Sequence, residues 1–558
     1  MAFFQAESVS SSSLTEHACS DLLDDTYDVV DRIVLNAYFP LACGPGGFRT
    51  WWRQLYDGDA DLDDTHLMRL AGRFSRRVRG WAKKNNIPVV YGNAGERKHR
   101  IAEQYLPEDP DFRGIFLVLI GRAPAPVWEV QRSEKGALNI RRKNPMPWVN
   151  HYHFHIIDEQ WGHLTIKICG HPPFSAQVML NGHEYVGCLA RQAGVDFTKE
   201  GNCFTNVSGA AGLSELADTL RSQAAVGRLR QVCERWIYRC VCFGLSFDEQ
   251  QKSGFRYSYS VYQLEYSRNL LFTQGDELDH VFNGVIDRTR GQLDVRTIKT
   301  IFGAKQRPRR RRRDKVPRFE AVLERPSYDL TIFKLHFDRL TLKMYSKGER
   351  VLRIEAVAHN TLDLHCGRVL EGLPKMVARL GDMVERFLGV VRCVDVAWIS
   401  DGTLESLPAP SMVGQTRVGG VDINQARMRA AMAAVVALAA APRGFTAAEH
   451  AAKVRAMSPE SNEPYTARHA AYDLKKLRGK ALVRKRSEHS RRYEPTTEGL
   501  RSMAALVVLR DKVIVPLLAG AGHRKTGRER STRDPLDRHY EAVRRQMQEL
   551  FDAMGIAA

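Results

Sequence analysis

The chain has 558 residues, is 44% hydrophobic and 26% charged, and carries 83 Lys and Arg against 64 Asp and Glu, a net charge of +19. That length exceeds a single core and implies several domains. No apolar run approaches the roughly 18 residues of a membrane span, and the N-terminus lacks the basic and apolar regions of a secretory signal. The expectation is a cytoplasmic protein with no membrane partner, whose basic excess selects a polyanion: DNA first, RNA as the alternative.

In chain order, residues 1–30 read as a disordered tail and 31–145 as a basic α+β domain that is mainly helical over 31–85. In HLMRLAGRFSRRVRGWAKKNN, Leu67, Leu70, Phe74, Val78 and Trp81 form one helical stripe with arginines on the other faces. GIFLVLIGRA (114–123) reads as a buried strand, and APVWEVQRS after it as its partner. A central α+β domain spans 146–303. It is strand-rich over 148–188, where AQVMLNGHEYVGCL is the last strand piece, and helical from about 212 to 290. Residues 304–319 form an Arg-rich linker in which Arg309, Arg310, Arg311 and Arg312 can lie on a phosphate backbone. Residues 320–415 alternate as a β-rich α+β domain. A hairpin turns at Ser346-Lys347-Gly348, and the helix LPKMVARLGDMVERFLGVV follows.

The segment 416–520 has the clearest local signals. Thr446-x-x-Glu449 is a capping box, Thr466 can cap a second helix that Gly479 can end, two short strands flank a basic turn, and a further helix begins near Thr497. This order resembles a winged helix-turn-helix. On the second helix, Ala471, Leu474 and Leu477 are expected to face the core, leaving Arg468, Tyr472, Lys475, Lys476 and Arg478 for DNA. The hairpin carries Arg484, Lys485, Arg486, Arg491 and Arg492 for phosphates. Residues 521–558 are a basic tail with a short helix. The fold class expected is thus multidomain α+β, with antiparallel-sheet central domains and a C-terminal winged-helix domain.

NHYHFHIID (150–158) places histidines at alternate positions, on one face of a strand. His153-Phe154-His155 resembles the His-hydrophobic-His motif of the HUH nucleases, which include rolling-circle replication initiators, relaxases and single-strand transposases. Downstream, RYSYSVYQLEYSRN holds Tyr262 and Tyr266, read at i,i+4 on a helix. The pair is similar to the signature of the two-tyrosine members. The resemblance implies a metal-dependent nickase or strand-transferase of a mobile element or replicon. His153 and His155 would bind Mg or Mn, with His183 or Glu184 as a third ligand, and Tyr262 or Tyr266 would attack the phosphate. The residues alone also fit a polar sheet face and a packed aromatic stripe. Tyr345, Lys347, Arg353 and Glu355 resemble the Y-x-K…R-x-E strand pairs of some phage and plasmid replication initiators. That likeness would make Arg353 a phosphate ligand and Glu355 a catalytic carboxylate, whereas the bare strand pattern gives an ion pair.

No G-x-x-x-x-G-K-[ST] loop is present, which excludes a P-loop ATPase. Ten cysteines include no C-x2-C pair, so no zinc ribbon is expected. Two further readings stand beside the nickase. One is a non-catalytic winged-helix regulator or replication accessory factor. The other is an RNA-binding protein that stacks bases on the YSYSVY aromatics.

Overall fold

The computed structural model describes residues 23–273 and 319–509 apart from short internal stretches, together with residues 542–543 and 545–546. The fold is mixed helix and strand with several sheets, as the α+β expectation holds. Most of the linker at 304–319, with Arg309 to Arg312, lies outside the described residues, as do most of the 1–30 and 521–558 tails.

In chain order the elements are β1 (Leu23–Tyr38), α1 (Pro45–Tyr56), α2 (Asp64–Lys84), β2 (Val89–Tyr91), α3 (Lys98–Glu103), β3 (Gly114–Pro124), β4 (Trp128–Arg132) and β5 (Leu138–Arg142). Then come β6 (Trp148–Asp158), β7 (Gly162–Cys169), β8 (Ala176–Asn181), α4 (Gly182–Gln192), β9 (Phe197–Lys199), β10 (Phe204–Val207), α5 (Ala210–Asp218), α6 (Ala224–Val241), α7 (Phe247–Lys252) and β11 (Ser258–Phe272). After them lie β12 (Phe319–Ser327), β13 (Leu330–Phe337), β14 (Leu340–Lys347), β15 (Val351–Ala358), α8 (Leu373–Asp395), α9 (Thr403–Ser406), β16 (Ser411–Val413) and β17 (Thr416–Val418). The last are α10 (Ala426–Leu438), β18 (Phe445–Thr446), α11 (Ala447–Met457), α12 (Ala467–Gly479), β19 (Val483–Lys485), β20 (Arg492–Pro495) and α13 (Thr497–Leu509).

The chain packs as two compact units. The larger comprises Leu22–Leu278 and Arg339–Asp382. Within it, nine strands form one sheet in the order β14-β15-β11-β1-β8-β7-β6-β3-β2, all antiparallel neighbours except the parallel β2–β3 pair. The segments 31–145 and 146–303 both contribute strands to this sheet.

Residues 31–38, expected to start a helical region, and 23–30, expected in a disordered tail, together form the strand β1. A bulge hides the strand: Val30 opposes Tyr266 and Arg32 opposes Glu265, so Asp31 is an extra residue in β1. The insertion shifts the alternation, and Val29, Val30, Ile33 and Val34 then mimic helical spacing. β3 pairs with β6 and β2, whereas β4 pairs with β5. Residues 182–192 leave the sheet as α4, which Asn181 caps by accepting from the His183 amide. The helical region ends before β11, so Tyr262 and Tyr266 stand on a strand.

On one side of the sheet, Tyr152 and Phe154 of β6 pack beneath α2 and the end of α6. The Tyr152 ring lies 4.7 Å from Phe74, and Phe154 stacks on Phe243 at 5.6 Å. That side is the apolar core.

The smaller unit comprises Met1–Asp21, Asp279–Asp338 and Met383–Ala558. It contains the β12–β13 hairpin, the β16–β17 pair and α10 to α13 around a three-stranded sheet, β18-β20-β19. The Thr446–Glu449 capping box is formed in both directions, and Thr466 accepts from the His469 amide. Buried Ala470, Leu474 and Leu477 anchor α12, while Ala471, expected in the core, is exposed. The position in the core register is taken instead by Asp473, which is fully buried. It accepts two hydrogen bonds from Arg427, at 3.0 and 2.7 Å, and one from the Tyr465 hydroxyl at 2.8 Å. Gly444 turns into β18 at a φ of +65°, and a Cβ there would meet the Tyr493 carbonyl oxygen at 2.2 Å, so only glycine fits.

Candidate functional site

Opposite the apolar core, the register lines up polar side chains across the larger unit's sheet. His153 opposes Lys167, Lys167 opposes Gln177, Gln177 opposes Asn36, and Asn36 opposes Ser260. A parallel row runs His155, Thr165, Met179, Val34 and Gln263. The same face continues through Glu265, Ser267 and Asn269 of β11 to Glu355 and Arg353 of β15. One sheet face therefore carries the histidines at one end and the Arg353–Glu355 pair at the other.

At the histidine end, His151, His153 and His155 are all buried. The Lys98 ammonium donates to His153 Nε2 at 2.9 Å. His155 Nδ1 lies 3.1 Å from His163 Nε2 and 3.2 Å from Thr165 Oγ1, while its Nε2 is buried without a hydrogen-bond partner. Burial, then the Lys167 charge, pulls His151 down to about 4. Burial, then His163, pulls His155 down to about 3. His153 is lowered too, by burial and then by Lys98. All three are neutral imidazoles near pH 7.

These residues do not fit the divalent metal expected of them. The His153 lone pair that would bind a cation already accepts from an ammonium group. His183 and Glu184, the expected third ligands, lie on α4, where His183 bonds to Asp31 and Glu184 pairs with Lys199. Among the described residues no group of three or more His, Cys, Asp or Glu side chains converges as a metal site.

At the other end the charges satisfy one another. The bulge turns Asp31 inward, where its carboxylate accepts from Arg353 Nη1 at 3.2 Å and contacts His183 Nδ1 at 2.9 Å. Arg353 is fully buried and also donates to Asn269 Oδ1 at 2.7 Å and to the Asn202 carbonyl. Although burial alone would raise it, the Asp31 carboxyl is held far below its usual range by Arg353 and His183. Gly182 makes this packing feasible: a Cβ there would lie 1.7 Å from the Val30 carbonyl oxygen. Glu355 accepts from Lys343 at 2.9 Å and from the Tyr345 hydroxyl at 3.1 Å. Glu265, which accepts from Gln263 at 2.6 Å, is pushed up to about 7 by burial and then by Glu355. Glu355 itself is lowered: burial opposes this, and Lys343 outweighs it.

The tyrosines and histidines are not brought together. Tyr266 alternates with Ser267, so it faces the opposite side of the sheet, where its hydroxyl donates to Asp28 Oδ2 at 2.6 Å. It is buried, and its phenol is raised by that burial and then by Asp28. Tyr262 is the extra residue of a second bulge, since Gln263 opposes Val34 and Val261 opposes Leu35. From β6 to β11 is four strand steps, or roughly 19 Å at about 4.8 Å per step. No imidazole on β6 reaches a phenol on β11.

No family model, curated protein or solved structure matches this chain.

In the smaller unit, Arg468, Ala471, Lys475 and Arg478 of α12 recur at helical spacing on one face. Lys476 lies 5.2 Å from the Tyr472 ring. Three of the five hairpin cations are held by carboxylates: Arg484 and Arg486 by Glu494, at 3.0 and 3.5 Å, and Arg492 by Glu449 at 3.3 Å. Arg491 is exposed. Sequence reading missed Asp31, Lys98, Lys167, Glu265 and Arg368. Each is one polar residue in an unremarkable segment: strand pairing places Asp31, Lys167 and Glu265, while Lys98 reaches His153 from α3 and Arg368 lines the sheet from the loop after β15.

Proposed function

We propose that this chain is a nucleic-acid-binding protein that engages duplex DNA through its C-terminal segment, read as a winged helix, in the manner of a regulator or replication accessory factor. The observation that carries this reading is the basic face of α12 beside the β19–β20 hairpin, on which Arg468 and Ala471 are exposed and Lys475 and Arg478 half-buried. Such a face can enter a major groove, and its cations would replace condensed counterions. Arg484, Arg486 and Arg492, bound to Glu494 and Glu449, would brace the hairpin, while Arg491 and the α12 cations contact phosphate. The formal +19 charge supports the same partner.

Fluorescence anisotropy of labelled duplex DNA over a range of salt tests this. Each phosphate contact contributes about 0.9 to the slope of log affinity against log salt. Arg468→Ala and Lys475→Ala should each weaken binding and lower that slope by about one contact. Slopes equal to that of the unaltered protein in both variants would overturn the reading. A single-stranded RNA competitor that displaces the duplex at equal concentration would favour the RNA alternative. Catalysis by Tyr262 or Tyr266 has less support, because the histidines and tyrosines stand strands apart and the metal ligands are dispersed.

A further inference from the structure

The larger unit contains a cavity of about 540 Å³ at the histidine end of the polar sheet face. Its floor is the row Lys167, Gln177, Asn36 and Ser260, and His151 and Arg368 stand at its sides. An apolar wall is formed by Tyr38 with the Pro124–Pro126 turn. No carboxylate lines it.

Lys167 is the telling residue. Burial lowers its pKa, and it forms no hydrogen bond or ion pair with any described residue. Lys167 is half-buried, and a cation drawn partly out of water without a counter-charge is disfavoured, so proteins normally pair such a group. Arg368 repeats the pattern: one Nη donates to Asn360 Oδ1 at 2.5 Å, while its Nε is buried without a partner. Two under-satisfied cations therefore face a space large enough for a small ligand. His151 adds polarity without charge. Its Nδ1 lies 3.2 Å from the Val149 carbonyl oxygen and donates to it, which leaves Nε2 as an acceptor.

The rest of the lining points to what carries the anion. Gln177 Nε2 donates to Asn36 Oδ1 at 3.0 Å, leaving the Gln177 carbonyl oxygen and the Asn36 amide hydrogens free. A paired acceptor and donor suits the edge of a nucleobase, as amide side chains pair with adenine elsewhere. Tyr38, 38% exposed, offers a ring face on which a base can stack.

We propose that this cavity binds a nucleoside 5′-phosphate, free or as one residue of a single strand, with phosphate on Lys167 and Arg368 and base between Tyr38 and the Asn36–Gln177 amides. The site lies wholly in the larger unit, so it goes beyond the reading of α12 and does not depend on it.

Isothermal titration of the full chain tests it, using deoxyadenosine 5′-monophosphate, deoxyadenosine and a 5′-phosphorylated oligodeoxyadenylate. The nucleotide should bind at least tenfold more tightly than the nucleoside. Lys167→Met, which keeps the stem and removes the charge, should cost at least tenfold in nucleotide affinity. Its thermal midpoint should be unchanged or higher, because an unpaired charge has been removed. Tyr38→Ala should weaken binding several-fold, and Arg468→Ala should leave it unchanged. An oligonucleotide that binds more tightly than the monophosphate identifies a strand as the source, and the reverse order identifies a free nucleotide. Absence of nucleotide binding at millimolar concentration, or equal affinity in Lys167→Met, overturns the proposal. Neither result bears on duplex binding by α12, so the two readings fail separately.

Discussion

The two ends of one sheet face solve the problem of buried charge in opposite ways. Around Arg353, opposite charges pair: Asp31 with Arg353, and Lys343 with Glu355. Around Lys167, two cations and the neutral His151 line one cavity that no carboxylate enters. A satisfied network fixes strand register and the docking of α4, since Asp31, His183 and Arg353 join three elements that are distant in sequence. An unsatisfied set of cations costs folding energy, and a ligand is the natural source of the missing charge.

The largest effect should come from breaking the satisfied end. Arg353→Met leaves Asp31 as a buried carboxylate without its cation, which typically costs about 3–5 kcal/mol. Urea titration followed by circular dichroism should show that loss in the larger unit's transition. Adding Asp31→Asn should recover much of it, because the stranded charge is removed. If Arg353→Met is as stable as the unaltered chain, the network contributes little and the contrast between the two ends dissolves.

The unsatisfied end should show itself in acid. A histidine that the fold keeps neutral still binds a proton near pH 6.5 when the chain is unfolded. Below that pH the unfolded state holds more protons, so stability falls as pH drops from 6.5 toward about 4 for His151 and about 3 for His155. Each such histidine contributes a slope on the order of 1.4 kcal/mol per pH unit across its window. Denaturant midpoints measured between pH 7 and 4 should fall, and His155→Gln should flatten the fall by one proton. An unchanged slope in that variant would mean that His155 is not held neutral.

How much of this was legible in the sequence depended on whether alternation survived. β6 was legible because His151, His153 and His155 alternate with Tyr152 and Phe154 without interruption. β1 was not, because the extra residue Asp31 broke the period of two, and that same residue anchors the network. β11 is obscured for a related reason: Tyr262 and Tyr266, four apart, suit a helix face as well as a strand with a bulge between its pairs. The caps at Thr446 and Thr466 were legible because they are local. The neighbours that give Lys167 and Glu265 their character come from other strands, and no local pattern contains them. His183 and Glu184 are metal-ligand types at a glycine, but the opening of α4 at Gly182 turns them to Asp31 and Lys199.

A smaller effect separates the two ends by sign. Glu265 keeps its proton in the folded chain up to about pH 7, against about 4.3 when unfolded. Its contribution to stability is therefore present below the unfolded value and is lost as pH rises through that interval, opposite to the histidines. Glu265→Gln removes the opposing slope, so the rise in stability from pH 5 to 6.5 should become steeper. A profile that becomes shallower would place the Glu265 pKa below its unfolded value and remove Glu355 as the neighbour that raises it.

Tyr266→Phe should matter least, and it tests the chemistry the sequence first suggested. The change removes one hydroxyl that donates to Asp28, while Arg268 still bonds the same carboxylate at 2.8 and 2.9 Å. The expected cost is about 1 kcal/mol, the net worth of one buried hydrogen bond, read as a small shift in the urea midpoint. Duplex affinity should not change, because the residue lies in the larger unit and faces away from the polar sheet surface. If instead the variant loses a covalent protein–DNA adduct that the unaltered chain forms with single-stranded DNA, then a phenol held protonated beneath α8 becomes accessible during turnover. The sheet face would then have to rearrange before chemistry, and the separation between histidine and tyrosine strands would describe only the resting fold.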